Sequence, residues 1–283
     1  MKPKKKSKTR LAVTIVILLL AAAAAAVFCI VRFHLGKTNY IRDEDVELML
    51  GQLETETEPL HAEDIYHVKE VKEVPASLLE NTITFLIIGT GAPEKEGNEK
   101  RPDAQAVITM TINHNHKLCY FCNYNVNTYV EIPGIGPGSL AQVYSVGGGP
   151  LMSETILANY GIPIDHYAAI SMADVAEVIE MPEFETLDVS TRGLDVVAEL
   201  IYRLGTLKPT QVASYIARVL PFVTHNMTMA DIMKMVLQIP VIVPYYSERY
   251  QIPLEGMYRK LDGYLVPDIG PMSAEMQQRI YGD

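Results

Sequence analysis

The longest hydrophobic run of the sequence lies near its start. Leu11–Val31 reads LAVTIVILLLAAAAAAVFCIV and holds 21 residues without a charge. At about 1.5 Å per helical residue, such a run crosses roughly 30 Å of hydrocarbon. A cleavable signal peptide has a shorter apolar core, of about 7–15 residues. The pattern therefore predicts a transmembrane helix over residues 11–32.

The charges that precede this run predict its orientation. Residues 1–10 contain six Lys and Arg side chains and no acidic one. Because basic residues beside a membrane span stay on the cytoplasmic side, we expect this tail in the cytoplasm and everything after residue 32 outside it. The chain is thus predicted to be a single-pass protein of the cell membrane with a large extracytoplasmic part.

Acidic and polar residues dominate the segment that follows. Between Asp43 and Glu80 there are twelve acidic residues and two lysines. Apolar positions are scattered, apart from a short amphipathic pattern at Asp45–Leu53. Such a composition is typical of a solvated linker, and its charge repels anionic headgroups. We interpret residues 33–80 as a stalk that lifts the following domain away from the membrane.

Short apolar runs predict strands from residue 82 onward. Ile83–Gly89 reads ITFLIIG, which ends in glycine as many buried strands do. Ala106–Ile112 and Lys117–Tyr124 are the next two strands, and the polar NHNH sequence between them predicts a turn. These two strands are therefore expected to form a hairpin. A further strand is expected within GIPIDHYAAI, residues 161–170.

Apolar positions at helical spacing separate and follow these strands. They predict helices at Leu140–Asn159, Met172–Ile179, Gly193–Leu204, Pro209–Leu220 and Met229–Leu237. Thr228 precedes the last helix as its N-cap. Strands and helices thus intermix along residues 81–283. The predicted fold class is α/β, with one mixed central β-sheet flanked by helices on both faces.

Composition and charge narrow the range of functions. The chain has 283 residues, of which 48% are hydrophobic and 20% charged, and this excludes a wholly disordered protein. Its net charge of −10 argues against a nucleic-acid binder. Cys119 and Cys122, three apart in a predicted strand, are expected on opposite faces of the sheet. A disulfide between them would need the strand to end early.

Seven short motifs follow one another along residues 82–283. They are FLIIGTG (85–91), RPDA (101–104), NYNVNTYV (123–130), SLAQVYSVGG (139–148), GIPIDHY (161–167), LKPTQVASYIAR (207–218) and HNMTMADIM (225–233). No single motif is decisive, but seven in this order are hard to obtain by chance. Their order and content resemble the LytR-CpsA-Psr family of bacterial envelope proteins.

The resemblance implies a chemistry. Members of this family are membrane-anchored extracytoplasmic proteins that transfer glycopolymers, such as wall teichoic acid or capsule, from a polyprenyl pyrophosphate carrier to peptidoglycan. That reaction needs an apolar groove for the lipid, arginines that hold the diphosphate, and carboxylates that hold Mg²⁺ on it. An acceptor sugar hydroxyl attacks, and the lipid carrier leaves with its charge neutralised.

The resemblance also implies roles for individual residues. Arg101 and Asp103 match the catalytic positions, and Asp103 would be the ligand of Mg²⁺. Arg218, Tyr144 and Gln142 fall in the segments that bind substrate. Mg²⁺ is expected as a cofactor only if catalysis persists. The implied partners are a polyprenyl-linked glycan or peptidoglycan, together with the membrane, and no nucleic acid.

The sequence departs from the family pattern at charged positions. The family's Asp after Gly-Thr is Gly91 here, and the Arg-Asp of the third motif is Val126-Asn127. The Lys at the helix start is Ser139, and the first Arg of the later helix is Ala217. Each charge-assisted contact contributes roughly 1.5–3 kcal/mol, so losing three or more removes on the order of 5 kcal/mol of diphosphate binding. These departures predict weak or absent transferase activity on an unchanged fold.

Two other motifs have a structural interpretation. His114 and His116 lie in the predicted turn, and no third metal ligand accompanies them in the sequence. The glycines at 134, 136 and 138, and those at 147–149, match no nucleotide-binding fingerprint. We expect both glycine clusters to form turns, with the second one opening a helix.

Three functions fit these observations. The first is a membrane-anchored envelope protein that binds a polyprenyl-(pyro)phosphate-linked glycopolymer, or a partner in wall assembly, with weak or no catalysis. The second is an active phosphotransferase that attaches glycopolymers to peptidoglycan, using Arg101, Asp103 and Arg218 in a rearranged site. The third is a structural envelope protein without a ligand. Convergence of these side chains on the mouth of an apolar tunnel would favour the second.

Overall fold

The computed structural model of the protein describes residues 39–40, 71–91, 101–171, 173–174, 207 and 209–282. The predicted membrane span, the amphipathic pattern at 45–53 and the predicted helix at 193–204 lie outside these residues, as does nearly all of the helix predicted at 172–179. Within the described residues, no helix is both long enough and apolar enough to cross a membrane.

Eleven strands and five helices follow one another along the described residues. In chain order they are β1 (Asn39–Tyr40), α1 (Ala76–Leu79), β2 (Thr82–Thr90), β3 (Ala104–Asn113), β4 (Leu118–Tyr124), β5 (Tyr129–Ile132), β6 (Gly136–Ser139), α2 (Leu140–Tyr160), β7 (His166–Ser171), α3 (Pro209–Val219), β8 (Val223–His225), α4 (Met229–Ile242), β9 (Tyr246–Ile252), β10 (Tyr258–Leu261), β11 (Tyr264–Pro267) and α5 (Ile269–Tyr281). A 3₁₀ turn at Leu220–Phe222 joins α3 to β8.

A seven-stranded mixed sheet forms the centre of the fold. Its strand order is β1-β8-β7-β2-β3-β4-β9. The β2–β3, β3–β4 and β7–β8 pairs are antiparallel, and the β2–β7, β4–β9 and β1–β8 pairs are parallel. Two further hairpins, β5–β6 and β10–β11, lie outside the sheet. The mixed central sheet predicted from the sequence is confirmed.

Several predicted elements are confirmed at nearly the expected bounds. β3 and β4 form the predicted hairpin, with Asn113 opposite Leu118. The predicted helices from 140, 209 and 229 correspond to α2, α3 and α4. Thr228 caps α4 as expected, since its hydroxyl accepts a hydrogen bond from the N–H of Asp231 at 3.3 Å. The Asp231 carboxylate accepts one from the N–H of Thr228 at 2.9 Å, which completes a capping box.

The two faces of the sheet carry separate hydrophobic cores, so successive residues of a strand alternate between them. Leu86 and Ile88 belong to the first core, which α2 and α5 cover. Phe85 belongs to the second core, which α3 and α4 cover. Cys122 lies in the first core and Cys119 in the second, and neither forms a disulfide. The predictions of helices on both faces and of cysteines on opposite faces are therefore confirmed.

The sequence interpretation missed the C-terminal elements. β9 forms an edge of the sheet, and its sequence YSERYQI is exposed at all residues but Tyr250 and Ile252. An exposed edge strand has no buried face, so it lacks the apolar alternation by which strands are recognised. α5, in contrast, places Met272, Met276 and Ile280 in the first core at helical spacing.

Residues 71–80, which the sequence places at the end of the stalk, pack onto the domain. Val74, Leu78 and Leu79 contact the first core. The side-chain amide of Gln277 donates a hydrogen bond to the carbonyl of Lys72 at 2.7 Å. The packed structure therefore includes residues on the N-terminal side of β2.

The two ends of the sheet are defined by the strand register. At one end β2 and β7 finish and β3 begins, with Thr90 opposite both Ser171 and Ala104. We call this the site end. At the other end, the far end, β2 begins at Thr82 opposite Asn113. Eight residue steps of β2 separate the two ends, which corresponds to about 27 Å.

His225 is a fully buried ionisable residue in β8, and its burial lowers the pKa of the ring to about 4. A histidine in an unfolded chain titrates near pH 6.5. Above pH 6.5 the ring is neutral in both the folded and the unfolded state, so its protonation takes nothing from the free energy of unfolding. Between pH 6.5 and about 4 only the unfolded chain binds the proton, so unfolding becomes more favourable as the pH falls.

We expect the free energy of unfolding to fall by about 3 kcal/mol from this source between pH 7 and pH 4, since one pKa unit corresponds to about 1.4 kcal/mol. The measurement is denaturant unfolding of the full chain in non-ionic detergent. The glutamine of His225→Gln does not titrate, so this variant should lack the pH dependence that comes from His225. Its free energy of unfolding should therefore rise relative to that of the unsubstituted protein as the pH falls. Stability curves that stay parallel from pH 7 to pH 4 would contradict the account.

Candidate functional site

A capping box fixes the start of α2 beside the end of β4. The Ser139 hydroxyl accepts a hydrogen bond from the N–H of Ala141 at 3.2 Å, and the side chain of Gln142 accepts one from the N–H of Ser139 at 3.5 Å. Ser139 and Ala141 both donate to the carbonyl of Val126, at 3.3 and 2.9 Å. Gln142, a predicted substrate-binding residue, is exposed and holds the helix start.

α2 is broken at Gly148, which has a φ of 65° and a ψ of −156°. This backbone conformation is open to glycine and strained for residues with a Cβ. The next residue also needs to be glycine, because a Cβ on Gly149 would lie 2.3 Å from the ring of Tyr167 in β7. Pro150 follows and suits the first turn of a restarted helix, where an N–H has no helical partner. The break thus lets α2 change direction while it lies close to the sheet.

The sequence interpretation of this second glycine cluster is wrong in its location. Gly147–Gly149 were expected to form a turn that opens a helix, but they lie inside α2. The reason is that Leu140–Val146 already forms two helical turns, which the capping box initiates. The Gly-Gly-Gly-Pro sequence could have predicted a break between two helical segments, because glycine and proline both disfavour a helix interior. In the first cluster only Gly134 lies in a turn, at a φ of 74° between β5 and β6, whereas Gly136 and Gly138 belong to β6 itself.

Arg101 lies against the break in α2. It precedes β3 at the site end and is half-buried. Its Nε and Cδ atoms would lie 3.5 and 3.8 Å from a Cβ placed on Gly148. A helix that restarts presents its first N–H groups and the positive end of its dipole. A guanidinium beside such a helix start favours an anion with several oxygens, such as a phosphate.

Asp103 lies two residues further on and is exposed. Among the described residues, no group of three or more His, Cys, Asp or Glu side chains is placed to hold a metal ion. A single carboxylate does not make a protein cage for Mg²⁺. However, Mg²⁺ at phosphate sites is commonly held by one or two carboxylates together with water and phosphate oxygens. Asp103 fits that kind of site.

Arg218 lies at the same end of the sheet but on its other face. It occupies the last turn of α3, where the negative end of the helix dipole favours a cation. α3 packs on the second core, whereas Arg101 lies against α2, which packs on the first. Val223, four residues beyond the end of the helix, pairs with Ile170 near the end of β7. The fold therefore brings both arginines to the site end, on opposite sides of the sheet.

Tyr144 is a residue of the first core and is 1% exposed. The same core contains Tyr124 and Tyr160, whose ring centroids are 5.0 Å apart. Burial raises the pKa of the Tyr160 hydroxyl, so this group stays neutral. A ligand reaches Tyr144 only by entering the packed apolar core between α2 and the sheet. A lipid chain has the chemistry to do so.

The positions that depart from the family pattern serve packing or capping here. Ala217 is 1% exposed on the buried side of α3, and Val126 packs against the first core. Ser139 caps α2, as described above. A Cβ on Gly91 would lie 2.5 Å from the side-chain nitrogen of Gln105, which occupies the space above it. Charged side chains at three of the five replaced positions, Val126, Ser139 and Ala217, would thus compete with existing packing or capping contacts.

The two turn histidines bind other protein groups. His114 Nδ1 is 2.9 Å from the hydroxyl of Tyr245. His116 Nδ1 is 3.2 Å from both the side-chain nitrogen of Asn113 and the hydroxyl of Tyr120. Their expected role as part of a turn is confirmed, and the turn is linked to the start of β9.

Comparison with known proteins identifies relatives of part of the chain. Residues 51–190 match the LytR_cpsA_psr family. The polyisoprenyl-teichoic acid–peptidoglycan teichoic acid transferase TagU of Enterococcus faecalis is 31% identical over 99 residues, which are 35% of this chain and 32% of that protein. Regulatory protein MsrR of Staphylococcus aureus is 28% identical over 127 residues, 44% of this chain and 38% of that protein. The chain thus aligns with about a third of the length of these relatives.

Solved structures share the fold of the chain. A structure of TagT bound to LIIa-WTA has a TM-score of 0.54 at 17% identity, covering 80% of this chain and 100% of that one. The crystal structure of B. subtilis TagV has a TM-score of 0.56 at 14% identity, covering 71% and 97%. At such identities the likeness establishes the fold alone. It confirms the α/β class with a mixed central sheet and flanking helices.

We expect Gly149→Ala to lower the free energy of unfolding by about 1–3 kcal/mol, because the added methyl group meets the ring of Tyr167. Helix propensity alone predicts the opposite sign, a gain of about 1 kcal/mol. The measurement is denaturant unfolding of both proteins. In a Tyr167→Leu background the same substitution should cost less, since the ring is gone. A Gly149→Ala protein that is more stable than the parent would refute the close contact between α2 and β7.

Proposed function

The chain belongs to the LytR-CpsA-Psr family, and we propose that it binds the (pyro)phosphate of a polyprenyl-linked glycopolymer and turns it over weakly or not at all. The main support is the position of Arg101 against the break at Gly148. The E. faecalis relative, a teichoic acid transferase by name, supports a wall glycopolymer as the ligand class.

In this proposal each polar group at the site end holds part of the diphosphate. The guanidinium of Arg101 and the first N–H groups after Gly148 bind oxygens of one phosphate. Arg218, from the other face of the sheet, supplies the second positive charge at this end. Asp103 is the residue that would hold Mg²⁺, and the ion would neutralise charge on the diphosphate. The lipid chain would pack against the apolar first core on the α2 side, where Tyr144 lies.

The loss of charged side chains at the site also explains weak turnover in this proposal. Transfer requires stabilisation of charge that develops as the diphosphate bond breaks, and several fixed cations and carboxylates provide it. Here Val126 and Ala217 occupy positions where the family has arginines, and both are engaged in packing. Binding of the ground state needs fewer contacts than transfer does. The protein would therefore bind its ligand but convert it slowly or not at all.

We also propose that residues 11–32 anchor the chain in the cell membrane, with the domain on the outer face. The support is the uncharged run of 21 residues next to a basic tail. A polyprenyl-linked ligand lies in the same membrane, so anchoring keeps protein and ligand in one plane. The alternative of an active phosphotransferase shares the anchor and the ligand, and it differs only in the rate of conversion.

We expect Arg101→Ala to weaken binding of a polyprenyl diphosphate about tenfold to a hundredfold, the loss expected for one charge-assisted contact. The probe is geranylgeranyl diphosphate, titrated into the full chain in detergent, with the dissociation constant measured by calorimetry. The affinity of Arg101→Lys should lie between those of the parent and of Arg101→Ala, because lysine keeps the charge but cannot form the paired hydrogen bonds of a guanidinium. Lys72→Ala removes an equal charge at the far end and is the matched control. Equal losses in the Arg101 and Lys72 variants would overturn the proposed site.

We expect the combined variant Gly91→Asp with Val126→Arg to raise conversion of a polyprenyl diphosphate-linked glycan at least about tenfold, since it restores two of the missing charges. Both substitutions displace existing contacts, but these can give way, because Gln105 above Gly91 has an exposed, flexible side chain and Val126 is only half-buried. Conversion is followed by product chromatography with a peptidoglycan fragment as acceptor. A parent protein as fast as the variant would instead establish the active phosphotransferase.

A further inference from the structure

β1 adds an edge strand to the sheet from a segment that the sequence places in the stalk. It is only two residues long and pairs in parallel with β8. Asn39 lies opposite Thr224, and Tyr40 lies opposite His225. The chain therefore joins the domain about 30 residues before the packed segment that begins at Val71.

The register of β8 fixes the direction from which the chain arrives at β1. Val223 pairs with Ile170 near the site end, and His225 pairs with Ala168 further along β7. β8 therefore runs away from the site end. Since β1 is parallel to β8, it also runs away from the site end. The residues before Asn39 must approach the sheet from the site end.

The length of chain before β1 limits how far the domain lies from the proposed anchor. The predicted span ends at residue 32, so seven residue steps lead to Asn39. Seven fully extended steps reach at most about 25 Å. If the first attachment were at Val71 instead, 39 steps would reach about 140 Å. The β1 pairing thus changes a long tether into a short one.

We propose that β1 is a short tether that holds the site end of the sheet toward the lipid bilayer, so that the surface around Arg101 and the 3₁₀ turn faces the headgroups. The proposal rests on the membrane anchor of the proposed function. It differs from the stalk expected from the sequence, because only residues 33–38 separate the anchor from the sheet. The occupant of this surface is the bilayer itself.

Charge and chain path both favour this orientation. Arg101 and Arg218 lie at the site end, where anionic headgroups and carrier phosphates would meet them. All twelve acidic residues between 43 and 80 follow β1 in the chain, in the segment that leads from β1 to Val71 and α1 beside the far end. A ligand with its lipid in the bilayer has its diphosphate at headgroup level. The short tether brings the site within reach without extracting the lipid.

Energy transfer from the domain to the bilayer surface measures this orientation. The full chain is reconstituted in nanodiscs that contain an acceptor-labelled phospholipid, with a donor on Gln105→Cys at the site end or Glu80→Cys at the far end; both positions are exposed. Cys29 is replaced by Ser. Burial raises the pKa of Cys119 to about 11 and that of Cys122 to about 12, so these thiols stay protonated and unlabelled at neutral pH. We expect the higher transfer efficiency at residue 105, because about 27 Å of strand separates the two ends.

Two matched insertions test the role of β1 directly. A flexible ten-residue Gly-Ser segment is placed either between Thr38 and Asn39 or between Glu58 and Pro59. The first adds up to about 36 Å to the tether and should lower transfer from residue 105 about twofold or more. The second lies after β1 and should leave transfer unchanged. Equal effects of the two insertions, or stronger transfer from residue 80 than from residue 105, would overturn the proposal.

Two controls separate this inference from the proposed function. Geranylgeranyl diphosphate binding in detergent should be the same for both insertion proteins, since neither changes the site. If binding is retained but the insertions act equally, the tether is wrong and the ligand proposal stands. If the full chain fails to co-float with lipid vesicles after alkaline extraction, the anchor itself is wrong and the tether falls with it.

Discussion

The break of α2 at Gly148 is the constraint on which the arrangement of the site end depends. In a continuous helix with ordinary side chains, the residue at position 149 would collide with the ring of Tyr167. Three consecutive glycines and a proline remove those side chains and restart the helix. The restart presents N–H groups where a guanidinium is also placed. The proposed phosphate binding at this point therefore rests on backbone geometry more than on any one side chain.

Much of the fold could be predicted because its buried strands and amphipathic helices have clear apolar patterns. ITFLIIG, the β3–β4 hairpin and the Thr228 cap are examples in which local sequence and tertiary packing agree. β9 was missed because an exposed edge strand needs no apolar face. β1 was missed because a strand of two residues is too short to show an alternation of apolar and polar positions. α5 was missed although Met272, Met276 and Ile280 follow helical spacing.

The site could be predicted only in part. The order of motifs pointed to Arg101 and Asp103, and the fold places both beside the start of β3. The contact between Arg101 and Gly148 depends on how α2 packs on β7, and sequence spacing does not contain that information. The same holds for Arg218, which the register of β8 brings to the site end from the opposite face. Departures from the family pattern become understandable once Ala217 and Ser139 are seen to pack and to cap.

Phosphorus NMR of a polyprenyl diphosphate-linked glycan tests the central claim most directly. The full chain is held in nanodiscs with Mg²⁺ and a peptidoglycan fragment, and the phosphorus resonances are followed over hours. The account predicts that both diphosphate resonances shift on addition of the protein and that their total intensity stays constant. Replacement of the two diphosphate resonances by a phosphomonoester resonance of the released lipid carrier and a phosphodiester resonance of the transferred glycan, over many turnovers, would contradict it, because the remaining charges would then suffice for catalysis.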